Sequence, residues 1–147
     1  MKSEPDVFSI DDLARKKRSA WDGVRNYQAR NFMRDGMKIG DLILFYHSNA
    51  EPSGIAGIAK VASAAYPDPT QFDKKSEYFD PKATKEKPIW QLVDVEFVEK
   101  FKAVLPLERI KVEPELSEMP LVQKGTRLSV MPVSHAEWQT ILRLAKS

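Results

Sequence analysis

Runs of apolar residues with strand-like spacing divide the chain into a series of predicted β-strands. Residues 41–47 form the clearest run, because nearly every position is apolar and the run is bounded by Gly40 and Ser48. The odd and even positions of this strand are predicted to face opposite sides of a sheet. Similar runs predict three further strands, at residues 55–66, 90–101 and 127–133.

Helical spacing and helix-start signals predict four helices. Ser9 and Ser134 each begin a capping box, in which a serine and an acidic residue three positions later satisfy free N–H groups of the first turn. Pro106 opens a short helix. Residues 25–34 form a helix that is apolar on one side, and the other side presents polar side chains: Asn26, Tyr27, Arg30, Asn31 and Arg34.

Two irregular features interrupt this pattern. The connection at residues 67–88 is charged, contains prolines and is long for a compact domain, so we expect it to cover one mouth of a barrel or to line a site. Gly57 lies inside a predicted strand and is expected to mark a bulge or a close approach of two backbones.

The order of elements predicts an α+β fold. A few strands with helices gathered at the ends favour a small, partly open β-barrel of about five to six strands with flanking helices over a parallel sheet. The 147 residues contain no repeat, linker or low-complexity tract, so residues 1–147 are expected to form a single domain.

The composition excludes several kinds of chemistry. The chain has no cysteine, which excludes disulfides, thiolate metal sites and cysteine nucleophiles. It has two histidines, so a multi-histidine metal site is not expected, and we expect no cofactor. There is neither a signal-peptide pattern nor an apolar run of membrane-spanning length. We therefore expect a soluble protein without membrane contact, cytoplasmic, or nuclear if the source is eukaryotic.

Charge is concentrated locally and nearly balanced overall. The formal net charge is +2, but residues 14–34 contain seven Lys or Arg against one acidic residue, Asp22. A basic face on a nearly neutral body fits modest contact with phosphates. For residues 15–18 alone, an ordinary solvated face remains the alternative.

Residues 20–34 and 41–49 combine side chains suited to a flat, polar ring beside a phosphate. They contain a tryptophan, two tyrosines, several asparagines and three arginines. Aromatic rings stack on bases, amides form hydrogen bonds with base edges and arginines bind phosphates. These residue types predict binding of a nucleobase-like ligand and give little indication of catalysis.

Seven blocks along the chain together carry a resemblance to a known family. The blocks are KSEP (2–5), WDGVRNYQARNFMR (21–34), FYHSN (45–49), GIAGIAKV (54–61), AYPDPTQFD (65–73), VDVEFV (93–98) and RLSVMPV (127–133). In this order they resemble the EVE domain family. The resemblance implies a PUA-like β-barrel, related to the YTH domains that bind methylated adenine in RNA. It also implies binding of modified bases, with 5-methylcytosine and 5-hydroxymethylcytosine in DNA as the favoured ligands.

Trp21 is the central candidate for the binding site. It precedes the helix at residues 25–34, at the position where the resembled YTH domains place a cage tryptophan, and stacking of an aromatic ring on a base is worth roughly 1–3 kcal/mol. The alternative is a tryptophan of the hydrophobic core. Lys2 and Ser3 match the family's first-strand block and are expected to line the same cavity. Ser129, on the last predicted strand, is a further candidate.

The end of the strand at residues 41–47 supplies another set of candidates. Tyr46, Ser48 and Asn49 are expected to emerge from the barrel into the pocket, although Tyr46 fits the core equally well. His47 alternates away from Tyr46 and is interpreted as a structural histidine. We expect Trp21, Tyr46 and Asn49 to flank one ligand-sized void.

The polar side of the 25–34 helix supplies the remaining candidates. Asn26 and Asn31 are predicted to present amides to a pyrimidine edge or, alternatively, to cap the backbone. Arg25 and Arg30 are candidate phosphate clamps, with a surface salt bridge as the alternative. Tyr27 lies on the same face and completes the set.

Three classes of function remain open at this point. The first is a non-catalytic reader that accepts a flipped modified base from DNA or RNA in an aromatic pocket. The second is an amidohydrolase similar to the ASCH domains, which use Lys, Thr and Glu, with Lys2 and Glu4 in two of these roles. The third is a protein-interaction module, supported only by the connection at residues 67–88. We predict the reader, as a monomer, and expect any downstream effect to require a separate effector protein.

Overall fold

A curled five-stranded sheet with flanking helices forms the molecule, of which the computed structural model describes residues 1–125 and 128–146. The strands are, in chain order, β1 (Lys2–Ser3), β2 (Arg18–Ala20), β3 (Leu42–His47), β4 (Gly54–Val61), β5 (Tyr66–Pro67), β6 (Gln91–Leu92) and β7 (Asp94–Pro106). The main sheet has the order β1-β3-β4-β7-β2, and β5 pairs with β6 separately. Within it, β1 and β3 are parallel and the other pairs are antiparallel. The predicted α+β, PUA-like, partly open barrel is confirmed.

The predicted helices are present in the described residues: α1 (Ile10–Lys16), α2 (Tyr27–Asn31), α3 (Leu107–Lys111) and α4 (His135–Ala145). Both predicted capping boxes form, at Ser9 and at Ser134, and Pro106 precedes α3 as predicted. The helix predicted at residues 25–34 begins later than expected and continues past α2 as a π-helical turn (Phe32–Gly36).

The sheet separates two hydrophobic clusters. Alternation along β3 places Ile43 and Phe45 in the first cluster, together with Trp21. It places Leu44 and Tyr46 in the second cluster, which packs against α3 and α4. The predicted two-faced character of this strand is confirmed, and it determines which side chains are able to meet in one site.

Gly57 is a point of close backbone approach, as predicted. A Cβ atom built on Gly57 would lie 2.3 Å from the backbone oxygen of Glu99 on β7. The pairing register of β4 with β7 shifts between Ile55 and Gly57, which is the irregularity of a bulge. Only glycine fits here without displacing the neighbouring strand.

The strand predictions differ from the structure in several places. The strand predicted at residues 55–66 ends at Val61 as β4, and Tyr66 belongs to β5. The described part of the predicted last strand, residues 128–133, forms no strand, and Arg127 lies outside the described residues. The Lys2 N–H of β1 donates to the Ser129 carbonyl at 2.8 Å, and Pro132 has no N–H to donate to a neighbouring strand. β7 extends beyond its predicted end to Pro106, and the three-residue β2 was not predicted because its polar sequence lacks a strand pattern.

Candidate ligand-binding cavity

A cavity of about 540 Å³ opens beside the first hydrophobic cluster. It lies between β1 with the turn that follows, the segment around β2 and the connection at residues 67–88. Its volume falls within the range of small-molecule pockets, roughly 300–1,000 Å³. We call it the Trp21 cavity, and its wall includes Lys2, Ser3, Phe8, Lys16, Trp21, Asp22, Tyr78 and Ser129.

Trp21 belongs both to the cavity wall and to the hydrophobic core. Its side chain is 9% exposed, and its ring meets Phe45 edge-on at a centroid distance of 5.5 Å. Its backbone N–H donates to the Val93 carbonyl at 3.0 Å, which anchors the segment to the sheet. The two alternatives considered for Trp21 are therefore not exclusive, since one part of the indole is packed and another borders the cavity.

Two of the three serines that border this cavity together with Trp21 were predicted from the sequence. The parallel register of β1 and β3 sets Ser3 beside His47, and the Ser3 hydroxyl donates to the Phe8 carbonyl at 2.6 Å. Ser129 approaches from the C-terminal part of the chain, where its carbonyl accepts the Lys2 N–H. The structure thus brings together Lys2, Ser3, Trp21 and Ser129, which were predicted from separate parts of the sequence.

Tyr46 lies on the opposite side of the sheet from Trp21, so the predicted common pocket of these residues is wrong. Successive strand residues face opposite sides, and Tyr46 is one position removed from Phe45. It borders a second cavity, of about 570 Å³, whose wall is rich in methionine and includes Trp138 of α4. Lys2 touches both cavities, and its ammonium lies 5.7 Å from the centre of the Tyr46 ring. Burial lowers the pKa of Lys2.

Ser48 and Asn49 lie outside the wall of the Trp21 cavity. The Ser48 N–H donates to the Ser3 carbonyl at 2.9 Å, which extends the pairing of β1 with β3. The Asn49 amide donates to the Glu4 carboxylate and so fixes the turn after β1. Both residues therefore form hydrogen bonds with residues of the cavity wall, Ser3 and Glu4, and do not border the cavity as predicted.

The Arg25 guanidinium is bound by other residues of this protein, so the prediction that it acts as a phosphate clamp is corrected. Its guanidinium forms an ion pair with Asp68 at 3.1 Å. It also donates to Thr70 Oγ1 at 3.0 Å and to the Tyr78 carbonyl at 2.7 Å. These bonds tie the start of α2 to the connection at residues 67–88, and they occupy the guanidinium.

Asp68 accepts hydrogen bonds from several of these groups and is fully buried. Burial opposes its ionisation, but hydrogen bonds from Thr70, Gly23 and Arg25 outweigh that effect and hold the pKa of Asp68 below its ordinary value. The Gly23 N–H donates to Asp68 at 2.8 Å, with Gly23 at a φ of +82°. A Cβ atom on Gly23 would lie 2.7 Å from the Tyr78 ring, so glycine is required for Tyr78 to close the cavity wall.

The polar face of α2 lies outside the Trp21 cavity, contrary to the predicted pocket wall. The Asn26 side chain caps α2 by accepting the Ala29 N–H, so the capping alternative applies to it. Tyr27 is 57% exposed and stacks on Trp90 at 4.8 Å. Arg30 donates to the Ile89 carbonyl at 2.9 Å and to the Asn31 side chain at 2.7 Å. α2 therefore braces the long connection instead of bordering the candidate ligand.

The basic segment before Trp21 is partly neutralised by neighbouring acids. Arg15 pairs with Asp12, and Arg18 pairs with Asp94 at 3.0 Å. Lys16 borders the cavity, with its ammonium 5.9 Å from the centre of the Phe8 ring. Lys16 therefore brings a positive charge from this segment to the cavity wall.

His47 has the structural role that its position predicts. Its Nε2 atom accepts the Ile10 N–H at 3.1 Å at the start of α1. Burial lowers the pKa of His47, which favours the neutral ring that this acceptor role requires.

Within residues 1–125 and 128–146, no cluster of three or more His, Asp or Glu side chains is arranged to hold a metal ion. In the same part of the chain, no helix has the length and apolar character of a membrane span.

Sequence reasoning did not predict several residues of the cavity wall, among them Phe8, Asp22 and Tyr78. Asp22 lies inside the block 21–34 that carries the family resemblance, so that block was a usable signal for it. Tyr78 had a weaker signal, the unusual length of the 67–88 connection, which was predicted to line a site. Phe8 had none, because a single aromatic residue before a helix is ordinary in a hydrophobic core.

Comparison with known proteins gives one consistent result. The family model of the EVE domain matches residues 1–144. Thymocyte nuclear protein 1 of Mus musculus is 43% identical over 166 aligned residues, which cover 100% of this chain and 73% of the relative. A crystal structure from Pseudomonas putida is 56% identical with a TM-score of 0.96, covering 99% of this chain and 97% of that one.

A second solved structure adds a ligand. Human thymocyte nuclear protein 1, crystallised in complex with DNA containing 5-methylcytosine, is 42% identical with a TM-score of 0.93. The match covers 100% of this chain and 96% of the human one. The resemblance seen in the sequence blocks is confirmed over nearly the whole length: the chain belongs to the EVE domain family.

Proposed function

We propose that this protein is a non-catalytic reader that binds a flipped, modified base, 5-methylcytosine or 5-hydroxymethylcytosine in DNA, in the Trp21 cavity. The observation that carries the proposal is the volume of the cavity together with the composition of its wall: a space of about 540 Å³ bordered by an indole, a phenol ring and three serines. The human relative crystallised with 5-methylcytosine DNA supports the choice of ligand.

The wall offers the interactions that a flipped base requires: aromatic stacking, hydrogen bonds and a positive charge for the neighbouring phosphate. Trp21 and Tyr78 offer aromatic surface that replaces part of the lost stacking. The Ser3 hydroxyl donates to Phe8, so its oxygen lone pairs are left to accept from a ligand. Lys16 at the rim offers a positive charge to a flanking phosphate.

The amidohydrolase alternative receives less support from the same wall. Lys2 and Glu4 both border the cavity, but the Lys2 ammonium lies toward Tyr46 and the Glu4 carboxylate accepts from Asn49. No threonine among the described residues borders the cavity. The arrangement therefore favours binding without turnover, and a partner protein would supply any later step.

The name of the vertebrate relatives is that of a nuclear protein, which supports a nuclear site of action if the source is eukaryotic.

Binding of matched oligonucleotides tests the proposal. Strands that differ only in one central base (cytosine, 5-methylcytosine or 5-hydroxymethylcytosine, as DNA and as RNA) are titrated by fluorescence anisotropy and then recovered for mass spectrometry. We expect tighter binding of a modified DNA strand with no change of its mass. Preference for a modified RNA strand would instead assign the site to RNA, and a mass change would support the hydrolase.

Trp21→Phe tests the place of binding. Loss of indole area is expected to weaken binding of the modified strand roughly tenfold, within the range measured for stacked bases. The matched control is Trp138→Phe, which alters a tryptophan bordering the other cavity and is expected to leave binding unchanged. Equal losses in the two variants would argue against the Trp21 cavity. Trp21→Ala is unsuitable, because removing a buried tryptophan costs roughly 3–5 kcal/mol of stability.

A further inference from the structure

We propose that Asp22 makes this cavity select cytosine over thymine, by accepting a hydrogen bond from the exocyclic amino group on C4 of the bound base. The inference rests on the proposed function and concerns the identity of the base that the site admits. It assigns a specificity-determining role to a residue outside the set predicted from the sequence.

The need for such a residue follows from the chemistry of the ligands. 5-Methylcytosine and thymine carry the same methyl group on C5, and both are flat rings of nearly the same shape. They differ in hydrogen bonding, because C4 bears an amino donor in cytosine and a carbonyl acceptor in thymine. A cavity that recognised only the ring and the methyl group would accept every thymine in DNA. A reader of methylated cytosine therefore needs an acceptor that meets the amino group and repels the carbonyl.

A carboxylate is suited to this task, and Asp22 is the acid of the cavity wall that is available for it. Carboxylates accept from the amino group of cytosine and offer no donor to the thymine carbonyl when ionised. Apart from its own backbone N–H, the Asp22 carboxylate has no hydrogen-bond or ion-pair partner among the described residues. The other acid of the wall, Glu4, is occupied by the Asn49 amide.

The backbone of Asp22 is held from both sides. The N–H of the preceding residue, Trp21, donates to the Val93 carbonyl at 3.0 Å. The N–H of the following residue, Gly23, donates to the buried Asp68 carboxylate at 2.8 Å. A base stacked on Trp21 is therefore next to an acid whose main chain does not need to reorganise on binding.

Asp22 is an exposed residue at the cavity mouth, and the charges around it act on its carboxylate. Burial raises the pKa of Asp22, the negative charge of Asp68 raises it further, and Arg25 and Lys16 act in the opposite direction. Asp22 in turn contributes to the raised pKa of Tyr78 across the same cavity. A base stacked on Trp21 would cover the Asp22 carboxylate, and a hydrogen bond shielded from water in this way discriminates more strongly than one in open water.

The test compares single-stranded DNA oligonucleotides that carry either 5-methylcytosine or thymine at one central position. Single strands remove the difference in base pairing, so the affinity ratio reports the cavity alone. We expect the wild-type protein to prefer 5-methylcytosine by roughly tenfold or more, as one well-placed hydrogen-bonded contact provides. Asp22→Ala is expected to bring the ratio close to one. Asp22→Asn is expected to do the same, because the amide can accept from the amino group of cytosine or, after rotation, donate to the carbonyl of thymine.

Asp6→Ala is the matched control, because Asp6 is exposed on the turn near the cavity but does not border it. Both alanine variants remove one negative charge and are expected to raise general DNA affinity alike, so only the ratio separates them. An unchanged ratio in Asp22→Ala, or an equal fall in Asp6→Ala, would overturn the role of Asp22 and leave the reader proposal standing. Equal wild-type affinity for 5-methylcytosine and thymine would do the same. Absence of any preference for 5-methylcytosine over cytosine would overturn both proposals.

Discussion

At the scale of single residues, the ion pair of Arg25 with Asp68 determines the shape of the candidate site. Arg25 reaches the carboxylate from the start of α2, and Asp68 also holds Gly23, beside which Tyr78 completes the wall. Because Asp68 is fully buried and Arg25 is largely covered, loss of either partner leaves an uncompensated charge. The cavity wall thus depends on a charge pair that does not itself border the cavity.

Asp68→Asn is predicted to destabilise the protein and to change its response to acid. The loss is expected to be roughly 3 kcal/mol near neutral pH, as for other broken buried pairs. The folded-state pKa of Asp68 lies below its ordinary value of 3.8, so its contribution is present above that value and is lost as the pH falls through the folded-state pKa. Urea unfolding at a series of pH values should therefore show a smaller decline toward acid in Asp68→Asn than in the wild-type protein.

Asp35→Asn is the control for this experiment. Asp35 also pairs with an arginine, Arg34, but both side chains are exposed, and surface pairs contribute little to stability. We expect nearly unchanged stability at neutral pH. An equally large loss in this variant would show that the effect at Asp68 does not come from burial of its charge.

At the scale of elements, β4 and β7 form the frame on which both hydrophobic clusters are built. β7 is the longest strand of the sheet and pairs with β4 on one side and β2 on the other. The β4–β7 ladder is irregular at Gly57, where the backbones approach closely. β2 pairs with β7 and is followed directly by Trp21, so the geometry of β7 affects the position of Trp21 in the cavity wall.

Gly57→Ala is predicted to weaken this frame. The added Cβ would overlap the Glu99 carbonyl, which belongs to the backbone of a paired strand and cannot move alone. We expect a loss of roughly 1–3 kcal/mol, typical of overpacking, measured by thermal or urea unfolding. Gly36→Ala serves for comparison, because its Cβ would meet the Phe32 ring at 3.0 Å and a partly exposed ring can tilt. A smaller loss at Gly57 than at Gly36 would contradict the assignment.

At the scale of the whole molecule, two cavities with different walls lie beside one sheet. The Trp21 cavity has polar groups and aromatic rings in its wall, whereas the cavity beside Tyr46 is bordered mostly by aliphatic and methionine side chains. The two hydrophobic clusters share β3 and β4, whose residues alternate between them. The two sides are therefore expected to fold as one unit even though their surfaces differ.

We predict that the two hydrophobic clusters unfold together in a single transition. Trp138→Phe leaves Trp21 and Trp90 as fluorescent probes, and a double variant, Trp21→Phe with Trp90→Phe, leaves Trp138 next to the second cluster. In each variant we expect the urea midpoint from tryptophan fluorescence to coincide with that from far-ultraviolet circular dichroism. Separate midpoints within one variant would show that the two clusters unfold independently.

Local features of this protein were predictable because they depend on residues close together in the chain. Both capping boxes involve residues three positions apart, and the two faces of β3 follow from simple alternation. The same alternation already excluded a common pocket for Trp21 and Tyr46, once Trp21 was assigned to the Phe45 side. That assignment needed the packing of Trp21 against Phe45, which no local pattern indicates.

By itself, the sequence determined the fold class, the family and part of the cavity wall, including Trp21 and Ser3, because these follow from local pattern and from contiguous sequence blocks. Only the tertiary structure decided what most polar residues do. Arg25 meets Asp68 at a separation of 43 positions, and this contact converts an apparent phosphate clamp into an internal strut. A charged side chain pairs with whichever opposite charge the folded chain brings near it, and that choice depends on the packing of the whole molecule.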